Sequence, residues 1–322
     1  MIHIKHSLIG EKTIQDLSHD YDLPEVTECL FLARGLNDTY VLKTVEDNYI
    51  FRVYRKGWRE EDAILFELEA IEFAQHEGIH SSIPVKRKDG QHLTKIEAPE
   101  GTRFGVMFTY SKGERPEITE ENSGRIGRAL ANLHNATDKF KPSTSRGYEL
   151  NVNHLLKAPA AIIMKRLGHA LTEEQETLLH EAVSKVKEVA ENKELSYGFC
   201  HGDFHNFNFH LHDGNLEAFD YDCCGIGYRA YDIAVFWWNL KNNYPQQEKT
   251  CWRSFLNGYE SVRKINEHDK KALPYFVAAR RIWFMGILAA NEDVWGRAWI
   301  NGQNMNHFFG QLASDVKYFE EQ

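Results

Sequence analysis

"HGDFHNFN", residues 201–208, is the stretch whose reading decides the fold. It packs two imidazoles, a carboxylate and two amides into eight positions, a density that suits a metal-ligand set, a catalytic loop or a polar turn. The residues that follow narrow the choice. In "FHLHDGNLEAFDYD" (209–222), residues 209–212 and 216–219 read as short strands about Asp213-Gly214-Asn215, which predicts a hairpin. Numbers symmetric about 214 set Asn208 opposite Asp220 at the open end, with Asp203 beside them. A carboxylate and an amide oxygen that converge in this way suit Mg²⁺, a hard cation completed by water and phosphate oxygens.

The rest of the chain limits what such a loop can serve. The 322 residues, 42% hydrophobic and 26% charged, can bury one large or two modest cores. A formal charge of −9 argues against a nucleic-acid partner, because phosphate backbones bind basic surfaces. The first residues, "MIHIKHSLIGEKTIQDL", lack the basic-then-apolar layout of a secretion signal. No apolar run is expected to cross a bilayer, so no membrane partner is expected and a cytoplasmic location is. Five cysteines (29, 200, 223, 224, 251), odd in number and without a CxxC, fit reduced thiols.

Patterning divides the chain. "CLFLAR" (29–34), "TYVLKT" (39–44) and "NYIFRVYR" (48–55) are rich in β-branched and aromatic residues and predict an antiparallel meander. Residues 60–77 place Ile64, Leu68, Ile71 and Ala74 at helical spacing. "IPVKRKDGQHLTKI" (83–96) reads as two strands about Asp89-Gly90, and 103–110 as another strand. Beyond 116 the pattern is helical. Ile126, Leu130 and Leu133 share a face, Thr172 with Gln175 forms a capping box, and further helices are expected near 229–243, 246–265, 270–292 and 303–320. Pro274 has to start or bend the third of these. The expected division is a small α+β domain, 1–110, and a larger, mostly helical one, 111–322.

The spacing Asp-x-x-x-x-Asn followed by a strand-borne Asp is that of the protein-kinase catalytic loop. "HGDFHNFN" followed by "FDYDCCGIGYRAYDIAVFWW" (219–238) resembles the aminoglycoside phosphotransferase and choline kinase-like family. The resemblance implies a two-lobed protein kinase-like fold, ATP and Mg²⁺ as cofactors, and a small-molecule hydroxyl as phosphate acceptor. It makes Asp203 the base or the group orienting the acceptor hydroxyl, and Asn208 and Asp220 the metal ligands. His201 and His205 become loop-shaping partners, with a place near the phosphate open for His205. Asp222 is left as a further contact or an exposed carboxylate, and Asp232 ties the following helix to the loop.

In the first domain the resemblance implies a phosphate-covering loop in "ARGLNDTY" (33–40), with Asn37 a nucleotide contact, although only Gly35 stands where protein kinases carry several glycines. Arg52 takes the place of the phosphate-binding lysine, ahead of Lys43. Its carboxylate partner comes from Glu67, Glu69 or Glu72, and Glu67 is chosen because at 100° per residue it falls beside Ile64, Ile71 and Ala74. Main chain around Phe108 and Tyr110 is expected to meet the adenine edge.

Three other readings stand against this one. A metal hydrolase could use His201, Asp203 and His205 from one strand face. A pseudokinase scaffold would lack the base or the metal ligands, and here all three residues are present. A protein serine or threonine could replace the small acceptor. Acidic residues with abundant Trp and Tyr favour an amine-bearing acceptor such as an amino alcohol or amino sugar.

Overall fold

A computed structural model describes residues 3–320. Its contacts divide the chain into two compact units, and the division is not a single cut near 110. The first unit runs to Gly113 and takes in Lys141–Gly147 and Leu211–Phe219 as well; the second comprises Glu114–Phe140, Tyr148–His210 and the chain from Asp220 onward. Two short returns of the chain therefore complete the first unit, which no compositional shift announces.

The first unit contains α1 (Glu11–Ser18), β1 (Val26–Arg34), β2 (Asn37–Thr44), β3 (Asn48–Tyr54), α2 (Glu61–His76), β4 (Pro84–Val85), β5 (Thr94–Ala98) and β6 (Gly101–Thr109). The sheet runs β1-β2-β3-β6-β4, with β5 also on β6, and every pairing is antiparallel. Alternation buries Tyr40, Leu42, Phe51, Val53 and Met107 on one core with Ile14 of α1 and Tyr21. The two strands expected to pair about Asp89-Gly90 each pair with β6 instead. The turn itself forms, with Arg87 N–H on the Gln91 carbonyl at 2.8 Å.

The second unit is helical: α3 (Glu120–Ala136), α4 (Ala158–Leu167) entered through a π-helical turn (Asn153–Lys157), and α5 (Glu173–Ala190), which carries the expected Thr172–Gln175 capping box. Four short strands follow, β7 (Tyr197–Cys200), β8 (Phe209–His212), β9 (Asn215–Ala218) and β10 (Gly225–Tyr228), the β8–β9 hairpin spanning the division between units. Then come α6 (Arg229–Asn243), α7 (Glu248–Glu260), α8 (Glu267–Ala290), α9 (Glu292–Trp295) and α10 (Gly302–Glu320). Nearly all of α6 is buried, the polar Arg229, Asp232 and Asn239 included. Helix α8 corrects an expectation: its 24 residues are long and apolar enough to span a bilayer, but most of the stretch is buried within the protein. Pro274 lies inside α8 and does not start it.

Candidate active site

The antiparallel pair β7–β10 sets Cys200 opposite Gly225, so the loop leaving β7 (201–208) and the segment entering β10 (220–224) emerge side by side. Gly202 has φ +79°, and a Cβ on it would lie 2.1 Å from the Cys223 carbonyl oxygen, so only glycine allows the two to touch. Asp232, in the first turn of α6, fastens the loop from below: its two oxygens accept the N–H groups of His201 (2.8 Å) and Gly202 (2.7 Å). His134 Nε2 lies 3.1 Å from the same carboxylate, and Tyr259 Oη 2.7 Å from His134 Nδ1. Burial pushes the His134 imidazole down to about 4, against the pull of Asp232.

Asp203 is held by three side chains. Oδ1 accepts from Arg280 of α8 and lies 3.1 Å from His205 Nε2; Oδ2 accepts from Asn208 Nδ2 at 3.2 Å. Burial alone would raise this carboxyl, but Arg280 first and His205 next outweigh it and hold it well below the usual carboxylate range. The side chain keeps 20% of its surface exposed, whereas Arg280 keeps 3%. The result is a fixed, ionised carboxylate with one open side.

The expected metal ligands fit a hard cation by their chemistry. Asn208 spends its Nδ2 on the Asp203 carbonyl (2.9 Å) and carboxylate, which leaves Oδ1 as its metal-binding atom. Asp220 stands in a left-handed backbone conformation (φ 63°, ψ 57°), tolerated by aspartate better than by most residues and typical of functional turns. The hairpin differs from expectation by one step. Asp213 (φ 49°) and Gly214 (φ 81°) form a two-residue turn, so the symmetry point lies between 213 and 214, and not at 214.

The other candidates sort clearly. Asp222 is buried, which removes the reading as an exposed carboxylate. His201 is buried too, its Nδ1 accepting the Asp203 N–H at 3.3 Å. The hydrolase trio therefore fails: among the described residues the one His/Cys/Asp/Glu group of metal-binding spacing is His134–Cys200–Asp232, and its carboxylate is spent on the loop amides.

In the first unit, Arg52 Nη1 meets Glu67 Oε1 at 2.7 Å, while Tyr54 Oη donates to Glu67 Oε2 at 3.0 Å. Glu67 is fully buried; Glu69 instead accepts from Ser143, and Glu72 faces His92. Lys43 is paired with Glu28. Arg52 lies 5.0 Å from the centre of the Phe108 ring, so Phe108 acts as its support. Phe108 sits within the sheet opposite Ile50 and Pro84, and the N–H groups of Thr109 and Tyr110 go to Ile83 and Asn48. Paired on both sides, Phe108 has no main-chain edge to offer a base. Asn37 opens β2 opposite Tyr54, beside the two-residue turn Gly35-Leu36.

Sequence reasoning missed Arg280 and His134. The signal for Arg280 was present: "AARRIWF" (278–284) puts two arginines in an apolar helix, and a buried cation demands an anion. Arg280 finds Asp203 and Arg281 finds Asp315.

Known proteins resemble this chain over most of its length. An uncharacterised protein of Deinococcus radiodurans is 36% identical over 305 residues, covering 90% of this chain and 85% of the relative. A homoserine kinase of Bradyrhizobium diazoefficiens is 26% identical over 86% of this chain and 83% of its own length. The solved structure of amicoumacin kinase in complex with AMP-PNP and Ca²⁺ superposes with a TM-score of 0.78 at 19% identity, covering 96% of this chain and 94% of that one. A model of the phosphotransferase enzyme family matches residues 29–265, and the chain belongs to that family, as a phosphotransferase of protein kinase-like fold.

Proposed function

We propose that the protein transfers the γ-phosphate of ATP, with Mg²⁺, to a hydroxyl of a small amine-bearing molecule such as an amino alcohol or amino sugar. The observation that carries this reading is the Asp203 carboxylate, ionised, held at both oxygens and open on one side. A carboxylate so fixed orients a hydroxyl and receives its proton as the oxygen bonds to the γ-phosphorus and the bond to the β-phosphate oxygen breaks, releasing ADP. Asn208 and Asp220 are the residues that would hold Mg²⁺, which neutralises phosphate charge when bound. Arg52, oriented by Glu67 and Phe108, is assigned to the phosphates, where a planar guanidinium can replace lysine. Asn37 and the main chain from Tyr110 onward are assigned to the rest of the nucleotide.

The AMP-PNP and Ca²⁺ bound to the amicoumacin kinase support a nucleotide with a divalent ion, and the homoserine kinase relative supports an amine-bearing alcohol as acceptor. A cytoplasmic location is proposed on the cysteine pattern alone, five in number and without a CxxC. The test is ADP release from ATP and Mg²⁺ across amino alcohols, amino sugars, aminoglycosides and a serine-rich protein, with Asp203→Asn in parallel. Acceptor-dependent release that disappears in the variant is expected. Equal release by both proteins rejects the role of Asp203, and release with the protein acceptor alone rejects the small-molecule class.

A further inference from the structure

Arg280 is flanked by two indoles of the second unit. Its guanidinium carbon lies 4.8 Å from the centre of the Trp238 ring on α6 and 4.5 Å from that of Trp283 on α8. Its Nη groups are engaged by Asp203, the Gly202 carbonyl and Tyr231 Oη. Among the described residues its Nε–H meets no acceptor, and neither does Trp238 Nε1–H. Trp283 makes the contrast, because its Nε1–H is satisfied by His154 Nε2 at 3.2 Å. Both orphaned donors belong to residues more than nine-tenths buried, Arg280 at 2% and Trp238 at 8% exposure, beyond compensation by bulk water. A buried donor left without an acceptor costs about 1–3 kcal/mol, and natural proteins tolerate few of them.

Two such donors on one stacked pair, beside the carboxylate assigned to the reacting hydroxyl, call for an oxygen acceptor. An ammonium cannot serve, since it has only protons to give. A guanidinium edge favours a carboxylate over a neutral carbonyl, because hydrogen bonds to an ionised acceptor are about twice as strong. We infer that Trp238 Nε1–H and Arg280 Nε–H form a subsite for a carboxylate of the acceptor, so that the substrate class is a hydroxy amino acid and not a simple amino alcohol. This rests on the assignment of Asp203 to the acceptor hydroxyl, and it adds a specificity-determining role for Trp238.

The experiment compares acceptors that differ only in the carboxylate: homoserine against 3-aminopropan-1-ol, and threonine against 1-aminopropan-2-ol. ADP release gives kcat/KM, and isothermal titration without nucleotide gives binding. The wild-type protein is expected to favour the carboxylate member of at least one pair by roughly tenfold or more, an increment of one hydrogen bond to a charged group. Trp238→Phe keeps a ring on Arg280 and deletes the N–H, and should reduce that preference by roughly tenfold, mainly through KM. Equal or better use of the decarboxylated compounds by the wild type, or an unaltered preference in the variant, overturns the subsite. Binding of homoserine or threonine that Trp238→Phe weakens, with no ADP released, upholds the subsite and rejects phosphotransfer. ADP release without carboxylate preference does the reverse, and neither binding nor turnover of any carboxylate acceptor rejects the subsite as well.

Discussion

Each unit contains a buried arginine–carboxylate pair at its functional end, and the two pairs are built the opposite way round. In Arg52–Glu67 the carboxylate is fully buried and the arginine keeps 11% of its side chain exposed. In Arg280–Asp203 the arginine keeps 3% and the carboxylate 20%. The exposed member is the one assigned to substrate in both cases, the cation to phosphate and the anion to a hydroxyl. Its buried partner holds its charge and direction. A third pair, Arg103–Asp38, has neither member exposed (1% and 4%) and ties the sheet together, Arg103 donating to the carbonyls of Val53, Tyr54 and Ser7. In these three pairs the partly open member is the one assigned to substrate, and the pair with both members shut away is a staple.

This contrast can be broken in four ways, the largest effect first. Asp203→Asn should lower turnover roughly 10²–10⁴-fold while ATP affinity is retained, because the group serves the reacting hydroxyl; titration calorimetry and steady-state rates check both halves. Arg52→Ala should raise KM for ATP and lower kcat, each by about tenfold. It also leaves Glu67 buried without its main counter-charge, so the urea midpoint should fall with it. Arg103→Met, the staple, should cost about 3 kcal/mol in urea unfolding and leave kcat and KM unchanged. Altered kinetics in that variant would collapse the distinction between the staple and the other two pairs.

The smallest effect is in pH. Burial sets His134 at about 4 in the folded protein against 6.5 ordinarily, so on acidification the unfolded chain takes up this proton first. The contribution is complete above about pH 6.5 and is lost between there and pH 4, by at most about 1.4 kcal/mol per pH unit. His134→Gln should flatten that part of the stability profile, measured by urea melts at several pH values.

How much of this was legible depended on the range of the interactions. Strand alternation and helical spacing are local, and they located the three-strand meander, α2, α6 and the capping box of α5. The choice of Glu67 over Glu69 and Glu72 also followed from local geometry, since only Glu67 shares the buried face with Ile64 and Ile71. The pairing of β4 and β5 with β6 could not be read, because a turn signal at Asp89-Gly90 does not say which strand collects the partners. The returns of 141–147 and 211–219 to the first unit escaped for the same reason. That the Asp203 carboxylate and the Asn208 amide lie side by side was legible from their spacing. Arg280, 77 residues from Asp203, was found only by the fold, although an arginine in an apolar helix already posed the question.

The close approach of Gly202 to the Cys223 carbonyl has a consequence for how such a protein can change. Because the strip bearing Asp203 rests directly against the strip bearing Asp220, neither can be moved without the other, and the two are locked as a unit. New acceptors must then be admitted from the helices that wall the loop, where Trp238 stands on α6 and Trp283 on α8, so diversity of substrate and constancy of reaction have separate addresses in one chain.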